Sequence, residues 1–148
     1  MAERKTTGKN DRKNILVKPY QPEYINRVLA ILEKNGYNWN ISSNTLKYCL
    51  FVDGKLVGFL EVSKALNEAE VYIIVIDPLY QGKGLGTLFL SKVLQELKET
   101  GVDKVFLEVS TKNNRAINLY TKLGFMEIFR RKSYYKDGSD AIIMEKIL

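Results

Sequence analysis

The sequence has no histidine, and Cys49 is its only cysteine. Without histidine, the commonest general base and the commonest metal ligand are both missing. Acid–base chemistry has to come from a carboxylate, a tyrosine, a lysine, the cysteine or water. A lone cysteine excludes an internal disulfide, and with no histidine or cysteine cluster no metal is expected. No apolar run approaches the length that spans a bilayer, and the charged N-terminus lacks the apolar stretch of a signal peptide. A reducing cytoplasm is the expected location, with no membrane partner.

What is present is enough for one globular domain: 148 residues, 45% of them hydrophobic, can bury a full core. The net charge is +6, and half of it falls in residues 1–13, where Arg4, Lys5, Lys9, Arg12 and Lys13 face Glu3 and Asp11. With almost no apolar side chain, this stretch reads as a disordered basic tail ahead of a single domain over 14–148. A solubilising extension is the simpler reading, and a weak contact with a polyanion such as ribosomal RNA is the functional one. No aromatic interleaves with the charges, so base stacking is not suggested.

The chain is organised around Tyr80-Gln81-Gly82-Lys83-Gly84-Leu85-Gly86-Thr87. Val71 to Ile76 before it is a continuous apolar run that reads as a buried strand, ended by Asp77-Pro78. After it, Leu85, Leu88, Phe89, Leu94 and Leu97 recur at helical spacing up to Gly101. The glycines thus sit on a strand-to-helix turn, where backbone N–H groups and the helix dipole suit a pyrophosphate. The P-loop spacing is absent. The dinucleotide fingerprint also fails, because Thr87 or Phe89 stands where its third glycine belongs. What fits is Gln-x-x-Gly-x-Gly at Gln81, Gly84 and Gly86, which resembles the acyl-CoA loop of the GNAT superfamily of N-acetyltransferases. A plain glycine turn before an amphipathic helix is the bland alternative.

Taken in order, Ile15 to Val17 reads as a first strand, and Pro22 opens a helix with Ile25, Val28, Leu29 and Leu32 on its apolar face. Asn35-Gly36 closes it. Beyond the loop from Tyr37 to Ile41, Ser42, Ser43 or Asn44 is expected to cap a second short helix through Leu46. Tyr48 to Val52, Asp53-Gly54 and Lys55 to Val62 form a hairpin signal, and Asn67-Glu68 turns into the central strand. Lys104 to Val109, Asn113 to Leu123, Met126 to Ser133 and Ala141 to Leu148 follow as strand, helix, strand and strand. The order β-α-α-β-β-β-α-β-α-β-β predicts an α/β domain with a mixed sheet of about seven strands and four helices on its two faces.

A second constellation lies at Leu107-Glu108-Val109-Ser110 and Asn113 to Phe125. Glu108 interrupts an otherwise apolar strand, which suggests a carboxylate facing a cleft; an outward-facing strand position competes with that. Tyr120 lies on one helical face with Ala116, Leu119 and Leu123, which also suits a plain core aromatic. The run Glu-Val … Asn-x-x-Ala-x-x-Leu-Tyr … Gly-Phe, with Tyr134-Tyr135 … Asp137-Gly138 … Asp140-Ala141-Ile142-Ile143-Met144, resembles the ribosomal-protein-alanine N-acetyltransferases of the RimI type. The similarity extends from about Ile15 to Leu148.

This resemblance implies the GNAT fold and transfer of an acetyl group from acetyl-CoA to a protein's N-terminal α-amine, with a ribosomal protein as partner. It places Glu108 as proton acceptor, Tyr120 as proton donor to the departing thiolate, and Asn113 as a CoA contact. The backbone of Ile74, Val75 and Ile76 falls on the acetyl-pantetheine site, and Gly82, Lys83, Gly84, Leu85, Gly86 and Thr87 on the pyrophosphate site. Trp39 matches the tryptophan of the family's Pro-Trp-Ser loop, with Asn38 and Asn40 in place of its neighbours.

Glu70 is the rival base, standing where histone-type members of the superfamily carry their glutamate; Glu61 and Glu68 are expected to be solvated. Trp39, Tyr134 and Tyr135 are expected to shape the acceptor slot, with one of the two tyrosines, Tyr135 by preference, facing the peptide. Acetylation of a lysine or a small-molecule amine, and a non-catalytic acetyl-CoA-binding module, are the competing functions. Monomer and homodimer are equally compatible with the sequence.

Overall fold

The computed structural model describes residues 14–148; the basic stretch 1–13 lies outside the described residues. Seven strands occur: β1 (Ile15–Pro19), β2 (Leu46–Val52), β3 (Lys55–Ala65), β4 (Glu68–Ile76), β5 (Lys104–Ser110), β6 (Met126–Arg131) and β7 (Ala141–Ile147). Three α-helices accompany them, α1 (Ile25–Lys34), α2 (Leu85–Glu99) and α3 (Asn114–Lys122), with short 3-10 turns at Pro22–Tyr24 and Pro78–Tyr80. The strands make one mixed sheet in the order β1-β2-β3-β4-β5-β7-β6, in which β4 and β5 run parallel and the other pairs antiparallel. Asp53 and Gly54 join β2 to β3 with φ of 51° and 83°, the primed turn whose twist matches the strands it connects.

The sequence pattern overstates the helices by one. Residues 38–45 form a loop, and β2 begins at Leu46, where a second short helix was expected. The polar groups of Ser42 and Thr45 turn toward Glu61 on β3 and do not cap a helix. From Tyr48 onward, side chains alternate between the two faces of the sheet, which only a strand allows. Glu68 opens β4 and is no turn residue, and β6 stops at Arg131 ahead of Ser133, whose φ is +48°.

Each face of the sheet has its own apolar layer. Phe89, Leu90, Val93, Leu94 and Leu97 of α2 pack on Leu50, Leu60, Val62, Val71, Val105 and Leu107. Val28, Ile31 and Leu32 of α1 pack on Cys49, Phe51, Phe59, Ile73 and Val75. Val71 and Ile73 thus lie on opposite faces although two apart, which strict alternation forbids. The register explains it: Val71 opposes Val62 and Ile73 opposes Glu61, so Tyr72 is an extra residue in β4, a β-bulge.

That bulge marks a parting of the sheet. β4 and β5 pair only from Glu68–Lys104 to Val71–Leu107, although both strands continue. Past this point, the edge of β4 from Tyr72 to Ile76 is unpaired on the β5 side, and a wedge opens between the strands. No helix among the described residues is long and apolar enough to cross a membrane.

Candidate active site

The wedge leads to a cleft of about 820 Å³ bounded by the end of β4, the glycine loop, the end of β5 and α3. Its size is that of a cofactor or small-molecule site. The glycine loop is held from three sides. Asp77, almost fully buried, accepts from Leu79 N–H at 3.0 Å and pairs with Arg27 of α1 at 2.5 Å. Burial pulls its carboxyl upward, but the Leu79 N–H and the Arg27 guanidinium outweigh this and leave it below the usual carboxylate range. Gln81 Nε2 donates to Ile76 O at 2.9 Å and to Asn35 Oδ1 at 3.0 Å, and Arg115 of α3 donates to Gln81 Oε1.

Gly82 and Gly84 have φ of +76° and +78°, and a Cβ at either would meet nothing within 4 Å. Their demand is conformational, with open space above the backbone. Gly84 caps α2 without any side-chain hydrogen bond, so the first-turn N–H groups of α2 are left for a ligand, with the positive end of the helix dipole behind them. Gly86 answers a different constraint: a Cβ there would lie 2.9 Å from Leu119 Cδ1, so it lets α2 approach α3.

Of the residues singled out in the sequence, Ile74, Val75, Ile76, Gly82, Gly84, Leu85, Gly86, Thr87 and Asn113 line the cleft, as do Glu70, Glu108, Tyr120, Trp39 and Tyr135. Lys83 and Tyr134 are not part of its wall. Lys83 Nζ lies over the Tyr80 ring, 5.8 Å from its centre, and Tyr134 is half exposed beneath Arg131. Asn113 caps α3 by accepting from Ala116 N–H at 3.1 Å and lines the cleft.

Glu108 occupies the first unpaired position of β5 past the parting. Tyr135 donates its hydroxyl to Glu108 Oε2 at 2.9 Å, and Arg131 Nη1 lies 3.8 Å from Oε1. Burial raises the Tyr135 hydroxyl well above its usual range, and the bond to Glu108 adds to this. Glu70 points to the same face from β4. Burial raises its carboxyl, the Glu108 charge raises it further, and Arg131 acts the other way. Tyr120, buried in α3, has a hydroxyl driven upward by burial and hydrogen-bonded to no protein group among the described residues.

Several residues at or behind the cleft wall carried no readable signal in the sequence. Arg115 stands beside the glycine loop through its bond to Gln81, and its signal was only a basic residue in the first turn of α3. Arg131 ends an edge strand in a run of exposed residues, with nothing local to mark its approach to Glu108. Glu61, expected to be solvated, is fully buried behind Trp39. Cys49 is buried on the α1 face, and burial pushes its thiol up to about 12, so it is no nucleophile for this cleft. Among the described residues no group of ligating side chains could hold a metal ion.

Comparison with known proteins bears on the family and the fold. The family model described as the acetyltransferase (GNAT) family matches residues 13–125. The ribosomal protein bS18-alanine N-acetyltransferase of Escherichia coli is 41% identical over 108 residues, covering 71% of this chain and 73% of that protein. The N-alpha-acetyltransferase RimI of Mycobacterium tuberculosis is 34% identical over 133 residues, covering 86% of this chain and 75% of that protein. A crystal structure of the ribosomal-protein-S18-alanine N-acetyltransferase from Escherichia coli superposes with a TM-score of 0.83 at 31% identity, covering 90% of this chain and 94% of the other. The chain belongs to the GNAT family of acetyltransferases.

Proposed function

We propose that the protein moves the acetyl group of acetyl-CoA to the N-terminal α-amine of a protein, a ribosomal protein with a small first residue such as alanine being the favoured class. The observation that carries this reading is that Glu108 and Tyr120 line one cleft where β4 and β5 part, beside a helix start with no side-chain cap. The cradle suits acetyl-CoA: Gly82 and Gly84 leave open space over unpaired N–H groups, and the free edge of β4 can pair with an extended pantetheine arm. Acetyl-CoA supplies the acyl group already activated as a thioester.

The chain's own residues then divide the work. An α-amine with a reference pKa of about 7.7–8.0 needs only modest help to become the neutral nucleophile. Glu108, oriented by Tyr135 and Arg131, takes its proton directly or through water. Backbone N–H groups at the splayed end of β4 stabilise the oxygen that gains charge, and the Tyr120 hydroxyl supplies a proton to the departing thiolate. Glu70 is the second choice of base, favoured by a raised carboxyl on the same face. Arg115 adds positive charge at the pyrophosphate end.

Relatives named as a ribosomal protein bS18-alanine N-acetyltransferase and as an N-alpha-acetyltransferase support the α-amine over a lysine side chain. Incubation with acetyl-CoA and peptides beginning with free alanine or serine, followed by mass spectrometry, is expected to place the acetyl group on the first amine. Acetylation confined to internal lysines or small amines overturns the acceptor assignment. Binding of acetyl-CoA without any product makes the protein a non-catalytic module.

A further inference from the structure

Glu61 sits in the middle of β3 with none of its surface exposed. Strand alternation sends Leu60 and Val62 to the α2 face and Glu61 to the α1 face, among Phe59 and Ile73. An apolar side chain would satisfy such a position, and a carboxylate there is costly unless donors meet its oxygens. Three donors do so, and all three come from one loop. Trp39 Nε1 donates to Oε1 at 2.7 Å, while Ser42 N–H and Thr45 Oγ1 donate to Oε2 at 3.2 and 2.5 Å.

That loop, residues 37–45, carries Tyr37 and Trp39 into the cleft wall. It has no regular structure from residue 38 to the start of β2. Ile41 and one side of Trp39 pack on the apolar layer beneath α1. Besides Lys47 Nζ of the adjoining β2, which donates to Thr45 O at 3.2 Å, the polar ties from this segment to the sheet, among the described residues, are the three to Glu61. Glu61 itself does not line the cleft, so whatever it does there is done through Trp39.

We propose that Glu61 is a positioning residue for acceptor recognition: it clamps the 37–45 loop to β3 and sets the place of Trp39, and thereby the width of the slot through which a peptide N-terminus reaches Glu108. The inference rests on the acyl-transfer reading of the cleft and assigns the loop to the acceptor side. The glycine loop is anchored independently through Gln81, Asn35 and Asp77, so the clamp acts on the acceptor and not on acetyl-CoA.

Trp39 is the only tryptophan, so its emission reports the loop without labelling. Glu61→Gln in the full chain sets an amide N–H against either the Ser42 N–H or the Trp39 Nε1–H, according to how the amide is turned. Thr45→Val removes one donor from a partly exposed loop position and leaves the sheet intact. Both are expected to shift Trp39 emission to longer wavelength and increase its quenching by acrylamide. KM for an alanine-starting peptide should rise about three- to tenfold, with kcat within about twofold and acetyl-CoA affinity unchanged. Unchanged emission and KM in Glu61→Gln overturn the clamp, as does a fall in kcat with KM unmoved. Should Glu61→Gln fail to fold, Thr45→Val decides by the same readouts, and wild-type values there overturn it. If the unmodified protein acetylates no N-terminal peptide, the acceptor assignment fails instead, while emission and quenching still judge the clamp.

Discussion

Replacing Arg27 of α1 with methionine keeps an unbranched aliphatic side chain and removes the guanidinium that faces Asp77. Asp77 is 1% exposed and the ion pair spans 2.5 Å, so the variant strands a buried carboxylate with only the Leu79 N–H to meet it. The Leu56 carbonyl also loses the Arg27 Nε–H that reaches it at 2.9 Å. Breaking one side of such a pair costs about 3–5 kcal/mol, and the partial exposure of Arg27 favours the lower end, about 3 kcal/mol. With a urea m-value of about 2 kcal/mol/M, the unfolding midpoint should fall by about 1.5 M. Asp77→Asn added to Arg27→Met removes the stranded charge and should recover a good part of the loss.

The pH dependence of the same pair has a definite sign. In the unmodified protein Asp77 titrates below the usual carboxylate range, so its contribution is complete above that range and lost as pH falls through its lowered value. In Arg27→Met the guanidinium no longer offsets burial, so the carboxyl titrates higher than in the unmodified protein. The deficit is then largest at neutral pH and shrinks as acid protonates Asp77. Urea unfolding followed by circular dichroism at neutral and acidic pH measures both effects. A loss under about 1 kcal/mol, or a double variant no better than the single one, refutes the reasoning.

Glu108→Gln is expected to lower turnover by about a hundredfold or more with acetyl-CoA affinity kept, and Glu70→Gln to do less; the reverse ranking in steady-state kinetics hands the base role to Glu70. Tyr120→Phe should lose turnover without losing thermal stability, because its hydroxyl bonds to no described protein group; equal activity would reduce Tyr120 to packing. Gly84→Val should fold at a cost of about 1–2 kcal/mol for the left-handed backbone while losing acetyl-CoA affinity by calorimetry. Gly86→Val should strain the α2–α3 contact at Leu119, and a Gly84→Val protein with full affinity would remove the loop from the acetyl-CoA site.

Local chemistry alone determined much of this protein. The Asp53-Gly54 turn, the apolar run of β4, the glycines ahead of α2 and the helical spacing after them are set by residues within a few positions of one another. The order of strands and helices along the chain, the strand-to-helix glycine turn and the carboxylate inside β5 follow from that. Tertiary structure decided what depends on partners distant in the chain. Ser42 to Leu46 offers caps like those of a helix start, but Glu61 takes the polar groups and sheet pairing takes Leu46. Glu61 lies in a strand that reads as solvated on one face, until α1 and the Trp39 loop cover that face. The extra residue at Tyr72 and the parting of β4 from β5 are properties of register, which no single strand contains. Tyr135 and Arg131 reach Glu108 across 27 and 23 intervening steps of chain, through an edge strand and a loop whose local sequence carries no period. Hydrophobic and turn signals are short-range, so they specify the elements; the distances between charged and hydroxyl groups arise only when those elements pack.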